Sequence, residues 1–177
     1  VLTLSLLRLL QDTPGSRVVT VTSGVHHLGR IAFEDLQGER HYDRWRAYAQ
    51  SKLANTMFAL ELEQRLRRQG GGTLSLAAHP GVARTGLQSR SVAASGDRVE
   101  RLAYRLMGPL FQSAAAGALP QLYAATADAV SGGDLVAPGS LGELRGAPAL
   151  GRLPAAALDA AARARLWEIS IALAQLD

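Results

Sequence analysis

Short β-branched or apolar runs alternate with longer amphipathic stretches along this chain, and the alternation predicts strands separated by helices. Arg17-Val18-Val19-Thr20-Val21-Thr22-Ser23 follows the turn cluster Thr13-Pro14-Gly15-Ser16 and ends at Gly24, which predicts a buried strand over 17–23. Thr73-Leu74-Ser75-Leu76-Ala77-Ala78 predicts a second strand over 73–78, and a short third is expected at 134–137. Residues 24–43 carry no sustained period and read as a long loop, whereas 44–68 read as a helix. Arg65-Leu66-Arg67-Arg68 closes that helix, because cations complement its carboxyl-end dipole and Gly70-Gly71-Gly72 stops it. The leucine-rich opening over 1–11 predicts a helix end; with Arg8 inside, it falls far short of the roughly 20 apolar residues a membrane span needs. Further helices are expected near 98–110 and 113–127, with Pro120 kinking or starting the second. A Gly/Pro-rich loop then runs through Pro154 to a last helix over 155–174, with Leu158, Leu166, Ile169 and Leu173 as its apolar stripe.

Strand, helix and strand in succession argue for a parallel α/β layer with right-handed crossovers. At 177 residues, 47% of them apolar, the chain is long enough for one domain, here 1–177, but about three strands make a small sheet. The formal charge of +4 suggests a polyanion partner until its distribution is read. The arginines are scattered and aromatics amount to 5%, so no basic stripe interleaves with stacking residues, and the expectation is no nucleic acid. With no cysteine there is no disulfide, thiolate metal site or cysteine nucleophile, which is compatible with a reducing, cytoplasmic setting. No internal repeat is visible.

Of the 19 basic residues only Lys52 is a lysine, and it stands four positions after Tyr48. Positions i and i+4 share one helix face, so the pair brings a compact ammonium close to a phenol and favours the phenolate, as a general acid/base requires. A solvent-exposed helix turn would also accommodate an isolated Tyr-x-x-x-Lys. Ser23 ends the first strand, where an open parallel sheet displays its reacting groups, although hydroxyls at a strand end can equally satisfy backbone groups. The second strand runs into His79-Pro80-Gly81-Val82-Ala83-Arg84-Thr85, and Pro-Gly there forces a sharp turn that lets a ligand approach bare backbone. Val21-Thr22-Ser23-Gly24-Val25 lacks the glycine spacing of a nucleophile elbow, which argues against a serine hydrolase despite His26 and His27. No second ligand stands at metal spacing from His79, which reads as a packed strand-end residue, and no metal is expected. Tyr42 and Trp45 suit either a substrate pocket or core packing.

A strand ending in Ser23, a helix with Tyr48-x-x-x-Lys52 and a strand followed by Pro80-Gly81-x-x-x-Thr85 together resemble the catalytic half of the short-chain dehydrogenase/reductase family. The stretches Thr22-Ser23-Gly24-Val25-His26-His27-Leu28-Gly29, Phe33-Glu34-Asp35-Leu36, Ser51-Lys52-Leu53-Ala54-Asn55 and Arg165-Leu166-Trp167-Glu168-Ile169-Ser170 are similar to its retinol-dehydrogenase-like branch. The resemblance implies an α/β fold, a partial Rossmann-like doubly wound parallel sheet with flanking helices. It implies hydride transfer between NAD or NADP and a small carbonyl or alcohol. Ser23 would then hold the substrate oxygen, Tyr48 would move its proton, and Lys52 would support the phenolate and bind the nicotinamide ribose. Pro80, Gly81 and Val82 would lie along the nicotinamide, with Thr85 at the same end. The family's Thr-Gly-x-x-x-Gly-x-Gly turn is not found, and Val1–Leu10 resembles the second part of its central helix, so the expectation is a carboxyl-terminal part of a member. The resemblance also implies a homodimer in the complete protein, built on residues near 1–11 and 50–66, where Leu53, Met57, Phe58, Leu60 and Leu62 supply apolar surface. The alternative is a noncatalytic remnant acting as a dimerising or interaction module.

Overall fold

Both faces of one strand, Leu74–Ala78, are buried, and this strand organises the rest of the molecule. The structure, a computed structural model, describes residues 1–83, 102, 108 and 111–175. In chain order its elements are helix α1 (Leu2–Gln11), strand β1 (Arg17–Val21), a 3-10 turn (Gly24–Leu28), helix α2 (Arg44–Arg68) and strand β2 (Leu74–Ala78). Helix α3 (Ala114–Thr126), strands β3 (Leu135–Ser140) and β4 (Arg145–Leu150), and helices α4 (Ala155–Leu158) and α5 (Ala160–Ala174) follow. Among the described residues they form a four-stranded sheet in the order β1-β2-β3-β4, with β1 and β3 parallel to β2 and β4 antiparallel at the far edge.

Alternation along β2 separates two cores. Leu76 and Ala78 pack with Ala124 of α3, Val130 and Val136 on one face, and Val19, Leu74 and Tyr123 join them. Ala77 points the other way, to Ala59 of α2 and Leu135, and the Ser75 hydroxyl on that side donates to the Ala59 carbonyl at 2.9 Å. Helices therefore cover both faces, the arrangement of a partial Rossmann-like α/β layer. On its outer side α2 buries Leu53 and Met57 against Ala157, Leu166, Ile31, Phe33 and Leu36. Phe58 and Trp167 stack there at 5.5 Å.

Several expectations need correcting. The first strand stops at Val21, so Thr22 and Ser23 lie beyond it. The stretch read as a Gly/Pro-rich loop contains β4, which tolerates Pro148 opposite Pro138 because an edge strand can spare a backbone donor. The last helix is two, since the Asp159 carboxylate accepts from Ala162 N–H and caps α5. Of its expected stripe only Leu166 is buried; Leu158 and Leu173 are more than half exposed. Leu53, Met57 and Leu62 are spent on the chain's own core and offer no interface, whereas Leu2 and Leu9 of α1 are well exposed. The helix expected near 98–110 falls outside the described residues apart from 102 and 108.

The end of α2 follows its sequence. Asp43 caps its start through Arg46 N–H, and Gly70, with φ 68°, ends it with Gly71 N–H donating to the Leu66 carbonyl. Arg65 pairs with Glu61 and Glu168, and Arg67 with Glu63, so these cations serve the fold. The loop ahead of α2 comes equally close at Gly29, where a Cβ would lie 2.6 Å from the Ala49 carbonyl oxygen and 2.7 Å from Leu53 Cβ. Gly29→Ala is expected to destabilise the fold by roughly 1–3 kcal/mol through overpacking, read by urea denaturation. A change within about 0.5 kcal/mol would show that the loop and helix separate easily.

Candidate active site

Past Val21 the chain leaves the sheet but remains tied to α2. The Thr22 side chain, 2% exposed, donates its hydroxyl hydrogen to the Lys52 carbonyl at 2.7 Å. Thr56 Oγ1 reaches the same carbonyl at 3.2 Å, and Asn55 Nδ2 donates to the Val21 carbonyl at 2.9 Å. Ser23 is thereby held next to the turn of α2 that carries the lysine. Tyr48 and Lys52 lie one helical turn apart, with the ammonium 5.5 Å from the phenol ring centroid. Tyr48 is 37% exposed, so the phenol is open to a ligand. Among the described residues no carboxylate pairs with Lys52, which keeps its donors available.

Below this surface lies a buried histidine pair that sequence reading did not assign to the site. His26 is fully buried; its Nδ1 sits 2.9 Å from Thr56 Oγ1 and 3.4 Å from Thr22 Oγ1, while its Nε2 has no hydrogen-bond partner among the described residues. Burial, reinforced by neighbouring His27 and His79, lowers its pKa to about 4. The rings of His26 and His79 meet edge to face at 5.7 Å. His79 is packed at the strand end as its position suggested, but it also bonds to Glu143, 64 residues later, at 2.9 Å. The only local signals were an apolar strand running into a histidine and a lone glutamate between glycines.

The Pro80-Gly81-Val82 turn leaves β2 just past His79, whose ring would stand 3.8 Å from a Cβ on Gly24. Gly81 has φ 62°, the left-handed conformation that suits glycine. The turn's backbone is engaged within the chain: Gly81 N–H donates to His79 Nδ1, Val82 N–H to the Leu144 carbonyl, and Gln112 to the Pro80 and Val82 carbonyls. Thr85 lies outside the described residues. The structure therefore ties the chain on either side of Ser23, just past the carboxyl end of β1, to the turn of α2 that carries Lys52, and the Pro-Gly turn leaves the carboxyl end of the adjacent parallel strand β2.

The loop ahead of α2 is held by hydrogen bonds of its own. Asp35 accepts from the N–H groups of Glu39, Arg40 and His41, and these bonds, Arg40's foremost, hold its carboxyl below the usual range. Gln50 bonds Ala32 N–H and the Leu36 carbonyl, fastening the loop to the same helix. Tyr42 and Trp45 are mostly exposed, which removes the core-packing reading and leaves them at the surface near Tyr48.

Comparison with known proteins gives the same grouping. No protein-family profile matches the chain. Human retinol dehydrogenase 12 is 42% identical over 127 residues, covering 72% of this chain and 38% of that protein. Mouse polyprenol dehydrogenase is 42% identical over 119 residues, 67% of this chain and 34% of its own. The solved structure of an uncharacterized Mycobacterium paratuberculosis protein superposes with a TM-score of 0.68 at 35% identity, over 90% of this chain and 50% of that one. The chain thus spans well under half the length of the curated relatives it matches. Its mostly parallel sheet and these relatives agree, and the chain belongs to the short-chain dehydrogenase/reductase family, in its retinol-dehydrogenase-like branch.

Proposed function

We propose that the protein is an oxidoreductase that moves a hydride between NAD or NADP and the carbonyl or alcohol carbon of a small-molecule substrate. The observation that carries this reading is the open Tyr48 phenol with the chain's lone lysine ammonium 5.5 Å from its ring. The names of the relatives denote alcohol dehydrogenation, which favours an enzyme over a noncatalytic module. The donor set fits a nicotinamide riboside, since an ammonium without a carboxylate partner among the described residues suits ribose hydroxyls. A bound nicotinamide would supply or accept the hydride.

The protein's own residues handle the proton and the orientation. Ser23 donates a hydrogen bond to the substrate oxygen and fixes it beside the phenol. In reduction Tyr48 gives its hydroxyl proton to that oxygen; in oxidation it takes the proton back. Lys52 stabilises the phenolate left behind and would hold the ribose, while Pro80, Gly81 and Val82 would border the nicotinamide. We also propose a homodimer in which the exposed leucines of α1 contribute to a two-fold interface with α2.

The test uses the complete gene product with NADH, NADPH and a simple aldehyde. Wild type is expected to oxidise one of the two, and Lys52→Arg to lose at least ~10-fold in kcat/KM, because a planar guanidinium keeps the charge without the compact ammonium geometry. Binding of neither cofactor removes the reading. Full activity in Lys52→Arg removes the role given to the lone lysine.

A further inference from the structure

We propose that Glu143 and His79 are positioning residues that fix the Pro80-Gly81-Val82 turn through a hydrogen-bond polarity that requires a carboxylate and a neutral imidazole together. That the turn borders a nicotinamide rests on the oxidoreductase reading above; the clamp itself rests on the geometry that follows.

The tip of the β3–β4 hairpin adopts a backbone that L residues avoid. Leu141, Gly142 and Glu143 succeed one another at φ 51°, 64° and 67°. Such a run persists only where its surroundings over-determine it. Here the Glu143 carboxylate accepts on both oxygens: Oε2 from His79 Nε2–H at 2.9 Å and Oε1 from Arg152 N–H at 2.8 Å. The next residue completes the contact, since the Leu144 carbonyl accepts from Val82 N–H at 2.8 Å. A Cβ on Gly81 would lie 2.4 Å from that same carbonyl oxygen, so the hairpin tip rests directly on the turn. Gln112 closes the far side, donating to the Pro80 carbonyl at 2.7 Å and accepting from Gly146 N–H at 3.3 Å.

His79 gives the clamp its polarity. Its Nδ1 accepts from Gly81 N–H at 3.2 Å while its Nε2 donates to Glu143. One imidazole does both only when neutral, with its proton on Nε2. Burial lowers the His79 pKa against the pull of Glu143, and the N–H groups of Arg152 and His79 hold the Glu143 carboxyl low against its own burial, so neutral imidazole faces carboxylate. The proton on Nε2 is thus fixed by Glu143, and the lone pair on Nδ1 that holds Gly81 follows from it.

Glutamine at 143 has the size of glutamate but one acceptor oxygen. It must abandon Arg152 N–H, or present an amide N–H to His79 and drive the imidazole proton onto Nδ1, against Gly81 N–H. Glu143→Gln therefore reverses the polarity without opening a cavity. At position 79, glutamine keeps the donor toward Glu143 and loses the acceptor for Gly81, whereas asparagine keeps the acceptor and loses Glu143.

The experiment compares steady-state kinetics of the complete gene product with ring-nitrogen NMR of His79. Wild-type His79 should be neutral with hydrogen on Nε2, and Glu143→Gln should move that hydrogen to Nδ1 or mix the two forms. The same variant should raise KM for the nicotinamide cofactor by ~10-fold with kcat within ~2-fold and thermal stability nearly unchanged. His79→Asn should retain more cofactor affinity than His79→Gln. An imidazolium or an Nδ1–H tautomer in wild type overturns the proposal, as does an unchanged cofactor KM, or losses in kcat and KM that merely track lost stability. Wild type that binds neither cofactor removes the oxidoreductase reading together with this one; turnover in wild type with an unaltered KM in Glu143→Gln removes this one alone.

Discussion

Tyr48→Phe should lower turnover by ~100-fold to ~10,000-fold while leaving cofactor affinity within a few-fold of wild type. The substitution deletes one hydroxyl and keeps the ring that lies 5.5 Å from the Lys52 ammonium, so α2 and the lysine keep their places. Because the ring is more than a third exposed, no core packing depends on the hydroxyl, and thermal stability should hold. The measurement is kcat and cofactor Kd on the complete gene product, side by side with Ser23→Ala. The serine variant should lose less, since it removes one hydrogen bond to the substrate oxygen and leaves the proton donor in place. Retention of full turnover in Tyr48→Phe would assign the proton to another group and end the mechanism proposed for this site.

Folding stability should fall by on the order of 3 kcal/mol between about pH 7 and about pH 4, with His26 as the largest identified source. Burial, with His27 and His79 beside it, lowers the folded-state value of His26 from 6.5 to about 4. The unfolded chain takes up this proton first. The contribution is therefore fully present above the unfolded value and is lost as pH falls toward the folded one. His79, also lowered by burial, acts in the same direction, and Glu143, held low by Arg152 and His79 against its burial, extends the loss to more acid pH. His26→Asn keeps a polar group toward Thr56 without a titrating ring, and its stability should depend more weakly on pH across that window. Urea midpoints at a series of pH values provide the readout. A wild type equally stable at about pH 7 and about pH 5 contradicts the assignment, and a ring titration of His26 near 6.5 by NMR does so independently.

Local chemistry was legible in the sequence where the structure depends on it locally. β1 and β2 were announced by β-branched and apolar runs between turn residues, and the end of α2 by its arginines and terminal glycines. Tyr48 and Lys52 stood out because one helix turn sets their spacing and no other lysine competes for notice. β4 was hidden because an antiparallel edge strand can carry the glycine and proline that mark a loop elsewhere. The break at Asp159 was visible in principle, as an aspartate before a run of alanines, but the longer alanine-rich pattern masked it. Glu143 was beyond reach for a different reason: its role depends on a histidine 64 residues away, and no periodicity connects them.

That separation sets an order of assembly. The residues that display the phenol, the lysine and the Pro-Gly turn are all synthesised before the hairpin whose tip seats the turn. Bringing Glu143 to His79 closes a large loop, and the entropy of that closure must be met before the contact repays it. During synthesis β1, α2 and β2 can dock on one another while the turn at Gly81 is still without its carbonyl partner from Leu144 and His79 without its carboxylate. The Pro-Gly turn is consequently among the last parts of this chain to acquire its partners, and a chain interrupted before residue 143 would carry the reactive side chains beside an unanchored turn.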